Sequence, residues 1–318
     1  MNPALENIKY VVENSKHVSI DYAKLKEFCA GITESDIAPK SVPAPFDLVG
    51  ADTLSRVDFA VIFNSVNFCY WGSPKWTIEH DGKHYDGAAA MAIALRRAMD
   101  NGYPILSAGY LKNMSEKDLR NILEGNVEIP LFGQRLANLK ETGRVLSERY
   151  DGHFFGWLKR VDNDALRLVD VLTKDISHYQ DSAMYKGREI VFNKRAQLAV
   201  YWISRILEDS GQSRLVNIGE LTDFADYKDP QLFRKKKIMV YSKRLSDLVD
   251  RGIPLRSGSE EEVEIRGNCV WVVEGMSADL KPRMPDAIPA NLHPYCWAKG
   301  QVKSPGDSRY HNTLGQAY

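Results

Sequence analysis

The sequence predicts a mostly α protein, a single helical domain carrying one small β-hairpin. Three observations predict it. Apolar residues recur at spacings of three and four along most of the chain. Several of these runs open on Ser or Asp and close on Gly or Pro. Strand-like alternation appears once, in "WTIEHDGKHYDG" (76–87), around an Asp81-Gly82 pair suited to a tight hairpin turn.

In order, residues 3–15 and 21–31 read as two helices, followed by "SVPAP" (41–45) as a connector. "DGAAAMAIALRRAMDNGYP" (86–104) has Asp86 as its N-cap, an alanine-rich body, and Gly102 and Pro104 as its stop. "SEKDLRNILEGN" (115–126) opens on Ser115 with Asp118 three residues on, the pattern of a capping box, and Gly125 closes it. Residues 132–152 and 162–176 are amphipathic runs. "NKRAQLAVYWISRILEDSG" (193–211) has an apolar body suited to a central helix. Asp229 before Pro230 reads as N-cap and first helical residue of a further helix. Residues 260–273 form another. The Pro- and Ser-rich segment 278–309 reads as an extended tail.

A chain of 318 residues can bury a sizeable core as one large domain or two ordinary ones. No repeat, low-complexity linker or firm boundary divides it. Residues 1–318 are therefore read as one domain, with N-terminal helices in 1–45 and an extended C-terminal tail in 278–318. Lys+Arg and Asp+Glu stand at 42 each, a balance that argues against nucleic acid as the main partner but permits a local basic pocket. Cys29, Cys69, Cys269 and Cys296 are far apart and read as free thiols in a reducing compartment. The first residues lack the apolar core of a signal peptide, and the longest apolar-rich stretch, 59–71, is too short to span a bilayer. The expected location is the cytoplasm, with the nucleus as the alternative. No dinucleotide, phosphate-loop, zinc-protease or serine-hydrolase motif is present.

Four stretches can carry chemistry. In "LTDFADYKDPQLFR", Asp229 has its cap role, while Asp226 lies among Leu221, Phe224, Ala225 and Tyr227. It either caps a turn or faces a cavity beside a helix start. In "FNSVNFCYW" (63–71), Asn64, Ser65 and Asn67 interrupt an aromatic run. They hold a loop in the core or read the edge of a heterocycle stacked on Phe68, Tyr70 or Trp71. In "FNKRAQLAVYW" (192–202), Lys194 and Arg195 open an apolar helix, where the macrodipole disfavours cations. Either they reach into solvent or an anion resolves the conflict. In "EEEVEIRGNCVWVV" (260–273), Glu264 and Arg266 on an apolar helix read as structural ion-paired charges, and Gly267 as a point of close helix packing.

Together and in this order, "NSVNFCYW", "YDGAAAMAIALRRAMDNGYPILSAGY", "NILEGNVEIPLFGQRLANLKETGRVLSERYDGHF", "NKRAQLAVYW", "LTDFADYKDPQLFR", "MVYSKRL" and "EEEVEIRG" resemble the queuosine-salvage proteins, queuosine 5'-phosphate N-glycosylases that release queuine. The resemblance runs from about residue 60 to about 275, with a weaker echo at the C-terminal end. It implies a helical fold akin to DNA-glycosylase architecture, acting on a free nucleotide, with no metal and no redox cofactor. The substrate it implies is queuosine 5'-monophosphate and the product queuine, used in tRNA modification. It assigns Asp226 as the catalytic carboxylate. It makes Asn64, Asn67, Phe68, Trp71 and Tyr227 base-binding candidates, and Lys194, Arg195 and His311 phosphate-binding candidates. His311 also reads as an ordinary surface-tail residue. Asn64 departs from the family pattern, which often has an acid there. Two other readings stand beside this one: a non-catalytic binding protein for a modified nucleobase or nucleotide, and a DNA-glycosylase-like enzyme of nucleic acids.

Overall fold

The structure is a computed structural model, and it describes residues 3–302, 304 and 307–318. Among these residues fifteen helices alternate with short strands. The order is α1 (Pro3–Asn14), β1 (Val18–Ile20), α2 (Tyr22–Ala30), α3 (Glu34–Ile37), α4 (Thr53–Val66), β2 (Thr77–His80), β3 (Lys83–Asp86), α5 (Gly87–Asp100), α6 (Ala108–Asn113), α7 (Glu116–Ile122) and α8 (Phe132–Arg149). There follow α9 (Phe155–Arg160), α10 (Ala165–Asp175), β4 (Ser182–Tyr185), β5 (Arg188–Val191), α11 (Lys194–Asp209), α12 (Lys228–Lys235), β6 (Met239–Tyr241), α13 (Lys243–Asp250), α14 (Glu260–Leu280) and α15 (Pro289–Gln301). The helix-rich class is thus as the sequence predicts. None of the described helices is long and apolar enough to cross a membrane.

The expected hairpin is present. Thr77 faces Asp86 and His80 faces Lys83, joined by Asp81 and Gly82 at φ 48° and 70°. Both turn residues are left-handed, as a type I′ turn requires. The structure adds two strand pairs to the one expected. β4 and β5 close through Lys186-Gly187, at φ 46° and 81°, so the same turn chemistry serves there without Asn or Asp. β1 pairs with β6 across more than two hundred residues, and no local signal announces such a pairing.

The apolar core has one large cluster built on α4, α5, α8, α10 and α11. A second joins α2, α12, α14 and α15, and a smaller third joins α1, β5 and α14. Residues 57–66 of α4 are buried all round, so the helix shows no amphipathic period in its sequence. Asp52 caps it, accepting the Ser55 N–H at 2.9 Å. Ser115 likewise accepts the Asp118 N–H at 3.0 Å, although α7 stops at Ile122, before Gly125. All four cysteines are buried and free.

Three expectations are corrected. The segment 278–309 is not an extended tail, because α14 continues to Leu280 and α15 starts with Pro289 at its first turn. Beyond α15 the chain lies against the body: the Trp71 Nε1–H donates to the Thr313 carbonyl at 3.1 Å, and the Tyr318 hydroxyl to Glu262 at 2.7 Å. Asp229 is no N-cap. It lies inside the first turn of α12 with its side chain buried, and the Lys228 N–H at that helix start is accepted by Asp226 at 3.0 Å. The ion pairing expected of Glu264 and Arg266 holds for Arg266 and not for Glu264. Glu264 accepts the N–H groups of Lys16, His17 and Val18 and the Tyr185 hydroxyl. Arg266 forks onto Asp181 at 2.8 and 2.5 Å.

Candidate active site

A cavity of about 680 Å³ lies between the two larger core clusters. Its walls come from α11, α15, the 36–46 connector, the start of α5 and the loop before α12. Successive turns of α11 contribute Lys194, Leu198, Tyr201 and Arg205, as a helix lying along a cavity does.

The loop that carries Asp226 is fixed against α11 by its own polar residues. Gln197 accepts the Thr222 N–H and donates to the Thr222 hydroxyl, both at 2.9 Å. Asp223 accepts the Ala225 N–H at 2.9 Å, and Ala225 sits at φ 43°, a left-handed conformation uncommon for a residue with a Cβ. The next residue, Asp226, is turned toward the cavity. One of its oxygens caps Lys228, and the other lies 3.0 Å from the Lys194 Nζ. Capping and facing a cavity are therefore not alternatives, because the two carboxylate oxygens divide the tasks. Burial works to raise the Asp226 pKa. Lys194, then His293 and the Lys228 N–H, outweigh it and hold the carboxyl below its usual range.

The same contact answers the question raised by cations at the start of α11. Two protein carboxylates sit there. Asp181 accepts the Lys194 backbone N–H at 3.2 Å, and Asp226 takes the Lys194 ammonium. Arg266 in turn anchors Asp181. Arg195 points into the protein and donates to the carbonyls of Asn64, Ser65 and His178.

Of the residues singled out from sequence, Asp226, Tyr227, Lys194, Asn67 and Tyr70 border the cavity together. Asn64, Phe68, Trp71, Arg195 and His311 are not among its lining residues. Asn64 is fully buried, donates to the Ala60 carbonyl at 2.8 Å and accepts from Asn67. Phe68 lies under the guanidinium groups of Arg135 and Arg195, 4.3 and 5.0 Å from its ring centre. Trp71 backs the cavity wall, its ring edge-on to Tyr227 at 4.9 Å. His311 is buried rather than on the surface. Burial, with Arg266 nearby, pushes its pKa down to about 3, so its ring is neutral.

Several lining residues escaped the sequence reading, chiefly Tyr201, Asn291, His293 and Tyr310. His293 is the chemically distinctive one. Its Nδ1 lies 2.8 Å from Asp229 and 3.1 Å from Asp223, two fully buried carboxylates. A signal for it existed: "IPANLHPYCWAKGQ" places Pro289 where a helix begins, which would have put His293 on a helix and not in a tail. Asp223, Asp229 and His293 are also the one group among the described residues whose ligand atoms come close enough to hold a metal ion. Ligands of a tetrahedral zinc stand about 3.3 Å apart, from metal–ligand distances near 2.0 Å. Here the Nδ1 of His293 hydrogen-bonds Asp223 at 3.1 Å and stands 2.8 Å from Asp229 as an ion pair.

Fold and site thus define a helix-rich protein with an aromatic-lined cavity and an ionised carboxylate in its wall. The family model for queuosine salvage proteins matches residues 49–313, and the chain belongs to that family. A protein from Sphaerobacter thermophilus named queuosine 5'-phosphate N-glycosylase/hydrolase is 34% identical over 310 residues, which cover 97% of this chain and 95% of that protein. Proteins of the same name from Bos taurus and Mus musculus are each 31% identical, over 85% and 86% of this chain and 82% and 84% of their own.

Proposed function

We propose that this chain hydrolyses the N-glycosidic bond of queuosine 5'-monophosphate and releases queuine. The observation that carries the reading is Asp226, an ionised carboxylate in the wall of a nucleotide-sized cavity, held 3.0 Å from Lys194. Breaking an N-glycosidic bond passes through an oxocarbenium-like sugar. A fixed carboxylate beside the anomeric carbon stabilises that cation and can take a proton from the attacking water. Queuine is a 7-deazapurine and has no ring nitrogen at position 7 to protonate, so more of the barrier falls to cation stabilisation and to contacts on other edges of the base. Asn67 and Tyr227 border the cavity near Asp226 and suit those contacts. Lys194 is one of several cations that line the cavity, and the one that holds Asp226.

The same reading takes the chain as one domain of glycosylase-like design, since both large core clusters supply walls of one cavity. Four buried free thiols suit a reducing compartment such as the cytoplasm.

The test is queuine release from queuosine 5'-monophosphate, followed by chromatography, for wild type and Asp226→Asn. Loss on the order of a hundredfold or more in a folded variant that still binds nucleotide is expected. Binding without release by the wild type would favour a non-catalytic binding protein instead.

A further inference from the structure

His293 lines the cavity, and its Nδ1 is engaged by Asp223 at 3.1 Å and stands 2.8 Å from Asp229. With Nδ1 engaged by protein carboxylates, Nε2 is the ring nitrogen left for a ligand in the cavity. We propose that His293, hydrogen-bonded at Nδ1 to Asp223 and charge-paired there with Asp229, presents Nε2–H to the substrate and donates it to the departing base, as a second catalytic residue. This assignment rests on the hydrolase reading above.

Three observations support it. First, the clamp fixes the ring. Asp223 also holds the Ala225 N–H, and Asp229 sits in the first turn of α12, so the imidazole is tied to both ends of the loop that carries Asp226. The Phe224 ring edge packs against it at 4.8 Å. Second, the ring carries a proton at neutral pH. Burial alone would lower its pKa, but Asp229 and Asp223 overcome that and raise it to about 10. Third, its place beside Asp226 suits the base better than the phosphate. The leaving nitrogen is bonded directly to the anomeric carbon that Asp226 must approach, whereas the phosphorus is several bonds away. Arg205, eleven residues beyond Lys194 along α11, lines the cavity roughly 16 Å from it.

The step balances. The bond between the anomeric carbon and the base nitrogen breaks, and its electron pair goes to the base. The Nε2 proton follows it onto the base. Water adds its oxygen to the anomeric carbon and gives one proton to Asp226, which returns it to solvent. His293 regains a proton from solvent. One water is consumed, and one base and one ribose 5-phosphate leave.

Leaving-group dependence tests this. His293→Asn is assayed on queuosine 5'-monophosphate and on 4-nitrophenyl ribose 5-phosphate, whose nitrophenolate needs no proton to depart. The expected result is a loss in kcat of about a hundredfold or more on the nucleotide and near wild-type kcat on the nitrophenyl compound. Equal losses on both would overturn the assignment. Asp229→Asn, which keeps the shape of the clamp, is the second variant. It should weaken the hold on the imidazole proton and move the basic limb of kcat on the nucleotide to lower pH, and an unmoved limb also overturns it. A wild type inert to both substrates removes the hydrolase reading itself, an outcome distinct from equal losses in an active enzyme.

Discussion

The Lys194 Nζ lies 3.0 Å from Asp226 Oδ2, and both side chains are almost fully buried. Such a pair contributes little net stability, because desolvation offsets most of its attraction. Its effect lies in protonation: it keeps a carboxylate charged in a wall where burial would otherwise neutralise it. Lys194→Met keeps the bulk and removes the charge. Burial, the largest influence on Asp226, then raises its pKa. The acid limb of the pH–rate profile should move to higher pH, with lower kcat at neutral pH. The wild-type carboxyl has a depressed folded pKa, so it contributes stability above its unfolded value near 3.8, lost as pH falls through the folded pKa. The variant loses that contribution and leaves a buried acid unpaired, at a cost of about 3 kcal/mol by urea unfolding. An unmoved acid limb would mean that Lys194 does not govern Asp226.

Gly267 is where α14 meets α1. A Cβ there would lie 2.7 Å from Val11 Cγ1. Val11 is fully buried, and its β-branched side chain has little rotamer freedom with which to yield. Gly267→Ala gains about 1 kcal/mol in helix propensity but suffers overpacking of about 1–3 kcal/mol. Net destabilisation of roughly 1 kcal/mol is expected from those two magnitudes. A double-mutant cycle with Val11→Ala should show a favourable coupling of about the same size. Additive costs would place the strain elsewhere.

The role that sequence gives Gly267 and the turn it gives Asp81-Gly82 have the same origin: each is a local rule that a few adjacent residues satisfy. Amphipathic helices such as α8, α10 and α11 were legible for that reason. α4 was not, because a helix buried all round has no polar face to mark its period. β1 and β6 pair across more than two hundred residues, and nothing local encodes their register. The site divides the same way. Asp226 and Lys194 could be singled out because a turn acid and a helix-start cation are locally odd. Their pairing was not visible, and the anion that α11 calls for proved to be two protein carboxylates. Asp229 looked like an ordinary cap and lies instead against His293, sixty-four positions later. Arg195 looked like a phosphate ligand, and the carbonyls that engage it come from α4 and from His178.

The clamped imidazole also gives stability a pH dependence with a definite sign. His293 titrates near 6.5 when unfolded and at about 10 when folded. Its contribution is full below 6.5 and is lost as pH rises toward 10. Between about pH 7.5 and 8.5 the folded ring holds a proton that the unfolded ring has mostly released, so ΔG of unfolding should fall by about 1.4 kcal/mol per pH unit. Other groups in this window act in the same direction, so the His293 share is the difference in slope between wild type and His293→Asn. Buried carboxyls raised to about 7, Asp229 and Glu274, have already ionised, and they act in the same direction only at its lower edge. The four buried thiols start from 9.0 and are raised further, so they stay protonated in the folded state while the unfolded ones begin to ionise toward pH 8.5, which adds to the fall. Urea unfolding across this range, with uptake of protons by the folded state read from the slope, measures the clamp without any substrate. A flat ΔG would mean that Asp229 and Asp223 do not hold His293 as a cation.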